Sequence, residues 1–116
     1  MLSYKIASNA QKKIRMMFGL SADTIREIHG YLAELPEVDK VLIYGSRAKG
    51  NYRIGSDINL TLIGSNLTLK NSVYRMEERV EESYLPYSFD ISIFSQISNA
   101  DLLDHIAQVG KVFYER

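Results

Sequence analysis

The side chains whose types and spacing could do chemistry here are Gly45-Ser46, then after ten residues Asp57 and Asn59, and later Asp90. A glycine-serine turn closing the apolar run Val41-Leu42-Ile43-Tyr44 can offer backbone N–H groups to phosphate oxygens, because glycine has no Cβ to hold the anion away. Asp57 and Asn59 stand two apart in Asp57-Ile58-Asn59-Leu60-Thr61-Leu62-Ile63, where polar and apolar residues alternate. A strand there sends both polar groups to one face, roughly 6–7 Å apart along the chain. Ser88-Phe89-Asp90-Ile91-Ser92-Ile93-Phe94 alternates in the same way, with Asp90 and Ser92 opposite Phe89, Ile91 and Ile93. Carboxylates on neighbouring strands beside a phosphate turn make a divalent-metal site, and Asn59 puts a neutral amide where metal chemistry prefers a second carboxylate.

Commoner glycine-loop readings fail on specific residues. Gly45 and Gly50 have the spacing that opens a Walker A loop, but Asn51 and Tyr52 stand where Lys and Ser or Thr must follow. Asp57-Ile58-Asn59 also resembles the start of a calcium loop, yet Thr61 and Leu62 continue an alternating strand where that loop needs a ligand and a glycine. Cysteine is absent, which removes disulfides, thiolate catalysis and cysteine-held zinc. His29 and His105 lie far apart without a ligand-spacing motif and read as solvated or capping side chains.

The elements that must hold these residues follow from periodicity. Ser21 reads as the N-cap of a helix carrying Ile25, Ile28, Leu32 and Leu35 at helical spacing, stopped by Pro36. Val41 to Tyr44 is a short buried strand, followed by the glycine turn, a brief helical turn and a loop through Asn51 to Gly55 into the strand from Asp57 to Ile63. Val73, Met76, Val80 and Tyr84 recur at three or four, predicting a helix over 68–84, and the strand 88–94 follows Pro86. Asn99 caps a last helix ending at Gly110, and Lys111 to Tyr114 is a terminal strand. Alternating helices and strands predict a small single-domain α/β fold with a mixed, twisted sheet flanked by helices, in which the three site strands are neighbours.

At 116 residues the chain fits one domain, burying roughly 65 % of the surface its unfolded form exposes. The apolar runs are too short to span a bilayer, and Met1 to Leu20 interrupts its apolar residues with Lys5, Lys12, Lys13 and Arg15, so no secretory leader is expected and the reading is cytoplasmic. Formal net charge is zero, but residues 1–22 hold four basic groups and no acid. Residues 1–20 are therefore expected as a basic arm or extra helix ahead of a catalytic-type domain over 21–116. Four charges with little aromatic interleaving suit a solvated terminus, and nucleic acid is not expected as a direct substrate.

Gly45-Ser46, ten residues, Asp57-x-Asn59 and a later-strand Asp90 resemble the DNA polymerase β-like nucleotidyltransferase superfamily, and within it the minimal nucleotidyltransferases paired with HEPN-type toxins. The resemblance spans roughly residues 21–114. It implies a nucleotidyltransferase fold and transfer of AMP from ATP to a protein hydroxyl through two Mg2+ ions. It also implies metal ligation by Asp57, the position of Asn59 and Asp90, the last also serving as base. Gly45, Ser46, Arg47, Lys49 and Ser56 are implied at the nucleotide, with Arg53 a further nearby cation and Tyr52 the one tyrosine placed near it. The implied partner is a small helical HEPN-type protein encoded nearby, whose tyrosine accepts AMP, and the chain would act as its antitoxin. The family pattern has Asp where this chain has Asn59. Two other functions follow from that departure and from the short length. One is an inactive module that binds nucleotide or partner. The other is transfer to a small hydroxylated molecule, whose pocket would come from a second copy in a homo-oligomer or from the N-terminal arm.

Overall fold

The computed structural model describes residues 16–116, so the expected arm or extra helix falls outside it as far as residue 15. Met16 to Ser21 form a small antiparallel hairpin, β1 (Met16–Met17) and β2 (Leu20–Ser21), with Met17 opposite Leu20. Its two-residue turn, Phe18 and Gly19, has φ of 59° and 72°. Both positive values match the twist a tight hairpin needs. A left-handed phenylalanine is costly, and its ring is anchored against Phe113 at 6.1 Å while Leu20 is fully buried.

Helix α1 (Ala22–Ala33) starts where Ser21 Oγ accepts the Thr24 N–H at 3.1 Å, as the capping pattern predicts. It buries Ile28 and Leu32. After Pro36 comes β3 (Val38–Tyr44), three residues longer at its start than the apolar run suggests, because Val38 is also buried and pairs with Gly64 of β4 (Ile58–Gly64). The remaining elements are a short helix α2 (Ser46–Lys49), a π-helical turn (Leu69–Val73) leading into α3 (Tyr74–Glu82), β5 (Phe89–Ile93), a 3-10 turn (Phe94–Gln96), α4 (Ala100–Val109) and β6 (Lys111–Glu115). The helix expected over 68–84 thus opens as a π-turn. It closes two residues early, because Ser83 turns extended and its hydroxyl donates to the Val80 carbonyl, leaving Tyr84 fully exposed.

The sheet runs β5-β4-β3-β6 and is mixed: β4 and β5 are parallel, the other pairs antiparallel. The π-turn and α3 supply the crossover that parallel neighbours require. The rows Ile43-Leu60-Ile91 and Val41-Leu62-Ile93 are buried on one face and join Ile28, Leu32, Val73 and Met76 in the core. Each such side chain contributes about 1.5–3 kcal/mol on burial. The opposite face carries Leu42-Thr61-Ser92 and Tyr44-Asn59-Asp90. Register therefore separates core from chemistry.

Strand β6 is bulged at Phe113, since Val41 pairs with Tyr114 and Leu42 with Val112. The carbonyl that the bulge frees is taken by His29 Nε2 at 2.6 Å, and the imidazole packs edge-on against Phe113 and Tyr114. His29 therefore caps a bulge. The Arg116 side chain donates to the carbonyls of Val38 and Leu35 at 3.1 and 2.8 Å, closing the link between α1 and β3. Replacing His29 with Ala leaves the Phe113 carbonyl without its donor and should cost about 1–2 kcal/mol, lowering Tm by roughly 5–10 °C in a thermal melt followed by circular dichroism. An unchanged melt would remove this role from His29.

Candidate functional site

The site is built where three strands end together. Tyr44, Asn59 and Asp90 stand in one row across β3, β4 and β5. Gly45-Ser46 follows Tyr44 directly, and Asp57 precedes Asn59 by two residues at the mouth of β4. The sequence-predicted turn, Asp57, Asn59 and Asp90 are thus at one end of the sheet. Asp57 and Asp90 are exposed, Asn59 is half-buried, and neither carboxylate makes an ion pair among the described residues.

Gly45 sits at φ 78°, ψ −157°, a region of backbone space open essentially to glycine alone. A Cβ built there would lie 2.5 Å from Asn59 Nδ2, so the turn and the amide are in direct contact. Downstream, Gly45 O accepts from Lys49 N–H at 3.0 Å, and Ser46 O accepts from Gly50 and Asn51 at 2.9 and 3.2 Å. Those bonds shape α2, whose left-handed end is Gly50. Upstream, the Gly45 N–H donates to His105 Nε2 of α4 at 3.1 Å. His105 also meets Tyr44 edge-on, with ring centroids 6.2 Å apart. Nothing local in sequence signals this contact, since its partners are 60 residues apart.

The expected cations divide. Arg47, expected at the phosphates, is 3 % exposed, and its guanidinium donates to Ser56 O at 3.1 Å and Phe18 O at 2.9 Å. It lies between the rings of Tyr52 and Tyr87, 5.5 and 5.1 Å from their centroids. The physical reason for the difference is the hairpin, whose turn carbonyls reach the guanidinium first. Ser56, also expected at the nucleotide, shapes its own loop: its hydroxyl accepts the Arg53 N–H at 2.8 Å. Lys49 and Arg53 are exposed and unpaired by any carboxylate among the described residues. Tyr52 is partly exposed and closes over Gly19, where a Cβ would strike its ring.

Tyr44 forms the buried wall of the site. Burial pushes its phenol up from 10.0, the Ser92 hydroxyl pulls it down and the Asp90 charge raises it further. Ser92 in turn donates to the buried Thr61 hydroxyl at 2.9 Å. Among the described residues no three His, Asp or Glu side chains converge as a metal cage. Asp57 and Asp90, exposed and without an ion-pair partner among the described residues, and the neutral Asn59 amide are oxygen donors of the kind a divalent cation takes.

A family model described as polymerase beta, nucleotidyltransferase, matches residues 26–116. The chain is similar to a solved toxin-antitoxin with AMP-PNP, with TM-score 0.65 and 16% identity over 79% of this chain and 73% of that one. A mutant of the toxin-antitoxin MntA-HpeT aligns with TM-score 0.62 and 14% identity over 79% and 73%. Tri-AMPylated Shewanella oneidensis HEPN toxin in complex with MNT antitoxin aligns with TM-score 0.53 and 12% identity over 79% and 73%. At these identities the likeness is one of fold. No curated protein sequence matches the chain.

Two outcomes test this geometry. Arg47→Ala strands the Phe18 and Ser56 carbonyls and should cost about 2–4 kcal/mol in urea unfolding, whereas Lys49→Ala should stay within about 0.5 kcal/mol of the parent. Equal effects would contradict the assignment of Arg47 as a clamp. For Tyr44, the folded pKa is raised, so its share of stability is complete below the unfolded value of 10.0 and is lost as pH climbs through the folded value. Tm should therefore fall as pH rises above about 10, and Tyr44→Phe should flatten that fall.

Proposed function

The chain belongs to the polymerase beta nucleotidyltransferase family, and from that premise we propose that it transfers AMP from ATP to a hydroxyl of a small helical HEPN-type partner, acting as that partner's antitoxin. The observation that carries the reading is the convergence of the Gly45-Ser46 turn with Asp57, Asn59 and Asp90 at one end of the sheet, across registered strands. Supporting it, two of the similar structures are a toxin-antitoxin with AMP-PNP and a tri-AMPylated HEPN toxin in complex with an MNT antitoxin. The described domain adds nothing to the sheet beyond its flanking helices and the hairpin, so an acceptor brought by a partner suits its small size.

In this mechanism the Gly45-Ser46 turn receives the terminal phosphates, and the exposed Lys49 and Arg53 offset part of their charge. Asp57 and Asp90, with the Asn59 carbonyl, would hold Mg2+. When bound, that cation neutralises triphosphate charge and makes the α-phosphorus easier to attack. The acceptor oxygen forms a bond to the α-phosphorus while the bond to the bridging oxygen of the β-phosphate breaks. Pyrophosphate leaves, and the hydroxyl proton passes to the Asp90 carboxylate. The Tyr44 phenol, neutral at neutral pH, adds no negative charge beside that carboxylate.

Asn59 makes a second reading specific. An amide lowers the negative charge available to a cation but leaves the phosphate turn intact, which supports a module that binds nucleotide and partner without turnover. Labelled ATP, Mg2+ and a small helical HEPN-type protein as acceptor separate the two. Transfer is expected from the parent at a low rate, rising roughly 10–100-fold in Asn59→Asp as a charge beside the reacting phosphate is restored. If both forms bind ATP and neither releases pyrophosphate, the transferase reading is wrong and the binding reading stands.

A further inference from the structure

We infer that His105 is a positioning residue for the nucleotide: its imidazole sets the conformation of the phosphate turn by accepting the Gly45 N–H. The inference rests on the nucleotide reading of that turn and adds to it a residue from another element, α4. Gly45 occupies a backbone region that persists only where surrounding groups hold it. Three holds are visible. Its carbonyl accepts from Lys49, the Asn59 amide presses on its Cα side, and its N–H is held by His105 Nε2 at 3.1 Å. The last acts directly on the peptide plane between Tyr44 and Gly45, because it is made by the Gly45 N–H. Rotation of that plane would exchange an N–H for a carbonyl at the start of the turn. It would also displace Ser46, whose carbonyl in turn receives Gly50 and Asn51.

The chemistry of the contact is specific. For Nε2 to accept, the ring must be neutral with its proton on Nδ1. The edge-on packing against Tyr44 keeps the ring from turning Nε2 away. Tyr44 is itself buried and registered beside Asn59, so the ring is braced on the same strand whose end it holds. A histidine serving only to fill space would not need this nitrogen. Here the nitrogen's position matters: a glutamine oxygen can reach about where Nε2 lies, and an asparagine oxygen about where Nδ1 lies.

Calorimetry with AMP-PNP and Mg2+ on the full chain, alongside melts and 15N spectra, tests the inference. His105→Asn should weaken nucleotide binding about 10-fold and shift the Gly45 amide signal, while His105→Gln should stay within about 2-fold and keep that signal near its parent position. The parent ring should show protonated Nδ1 and bare Nε2. Overturning results are a protonated Nε2 in the parent, or His105→Asn binding as tightly as the parent at an unchanged Tm. Equal weakening by Asn and Gln at parental Tm overturns it too. If the parent fails to bind AMP-PNP, the nucleotide reading fails and takes the positioning role with it. In that case the Nδ1-protonated ring and the Gly45 signal would still report the contact as a purely structural one, so the two failures read differently.

Discussion

The site depends on one buried cation. Arg47 has no carboxylate within its shell among the described residues, yet it is almost wholly removed from water. Carbonyl oxygens of Phe18 and Ser56 and the faces of Tyr52 and Tyr87 replace its hydration. Those four residues come from the hairpin, the loop before β4 and the loop before β5. A guanidinium can bind them together because its donors fan out in a plane and its faces accept π stacking. Lysine, with one compact charge, could not span the same set. The loops that deliver Asp57 and Asp90 are therefore referenced to α2, and α2 begins at the Gly45-Ser46 turn.

The sheet supplies the second constraint, through register alone. A slip of β5 by one residue against β4 would move Asp90 away from Asn59 and turn Ile91 and Ile93 out of the core while Leu60 stayed in it. Core burial thus enforces the alignment of the polar row at no separate cost. Antiparallel pairing of Tyr44 with Asn59 does the same on the other side and delivers Gly45 against the amide. That contact explains why the turn must be glycine in two independent ways, conformation and space.

Much of this was legible in the sequence, for a physical reason. Period-two alternation in 57–63 and 88–94 and helical spacing after Ser21 and Asn99 are read locally, and the structure has those strands, caps and faces. The mixed sheet and the adjacency of the three site strands also follow that reading. What stayed illegible was set by distant contacts. Phe18-Gly19 looks like an ordinary polar-terminus glycine until a buried Arg47 needs its carbonyls, and His105 gives no signal on α4 until β3 brings Gly45 beneath it. His29 likewise acquires its role only once β6 bulges. Proximity in sequence to a glycine turn points Arg47 at a phosphate but says nothing about which carbonyls reach its charge first, and those of Phe18 and Ser56 do.

On the proposed reading, Asn59 separates binding from turnover more sharply than its charge suggests. Its Nδ2 lies against the phosphate turn, so the amide can donate to a phosphate oxygen that an aspartate there would repel. The same replacement removes an anionic ligand from the cation side, where Asp57 and Asp90 remain. One side chain thus strengthens the hold on the triphosphate as it weakens the hold on the metal. The two effects act at different atoms of the nucleotide, the terminal phosphates and the α-phosphorus. Ground-state affinity can therefore be kept while stabilisation of the transition state falls, and uniform binding of that kind does not accelerate the chemical step. On that reading, affinity for nucleotide and rate of turnover are set by different atoms of one side chain.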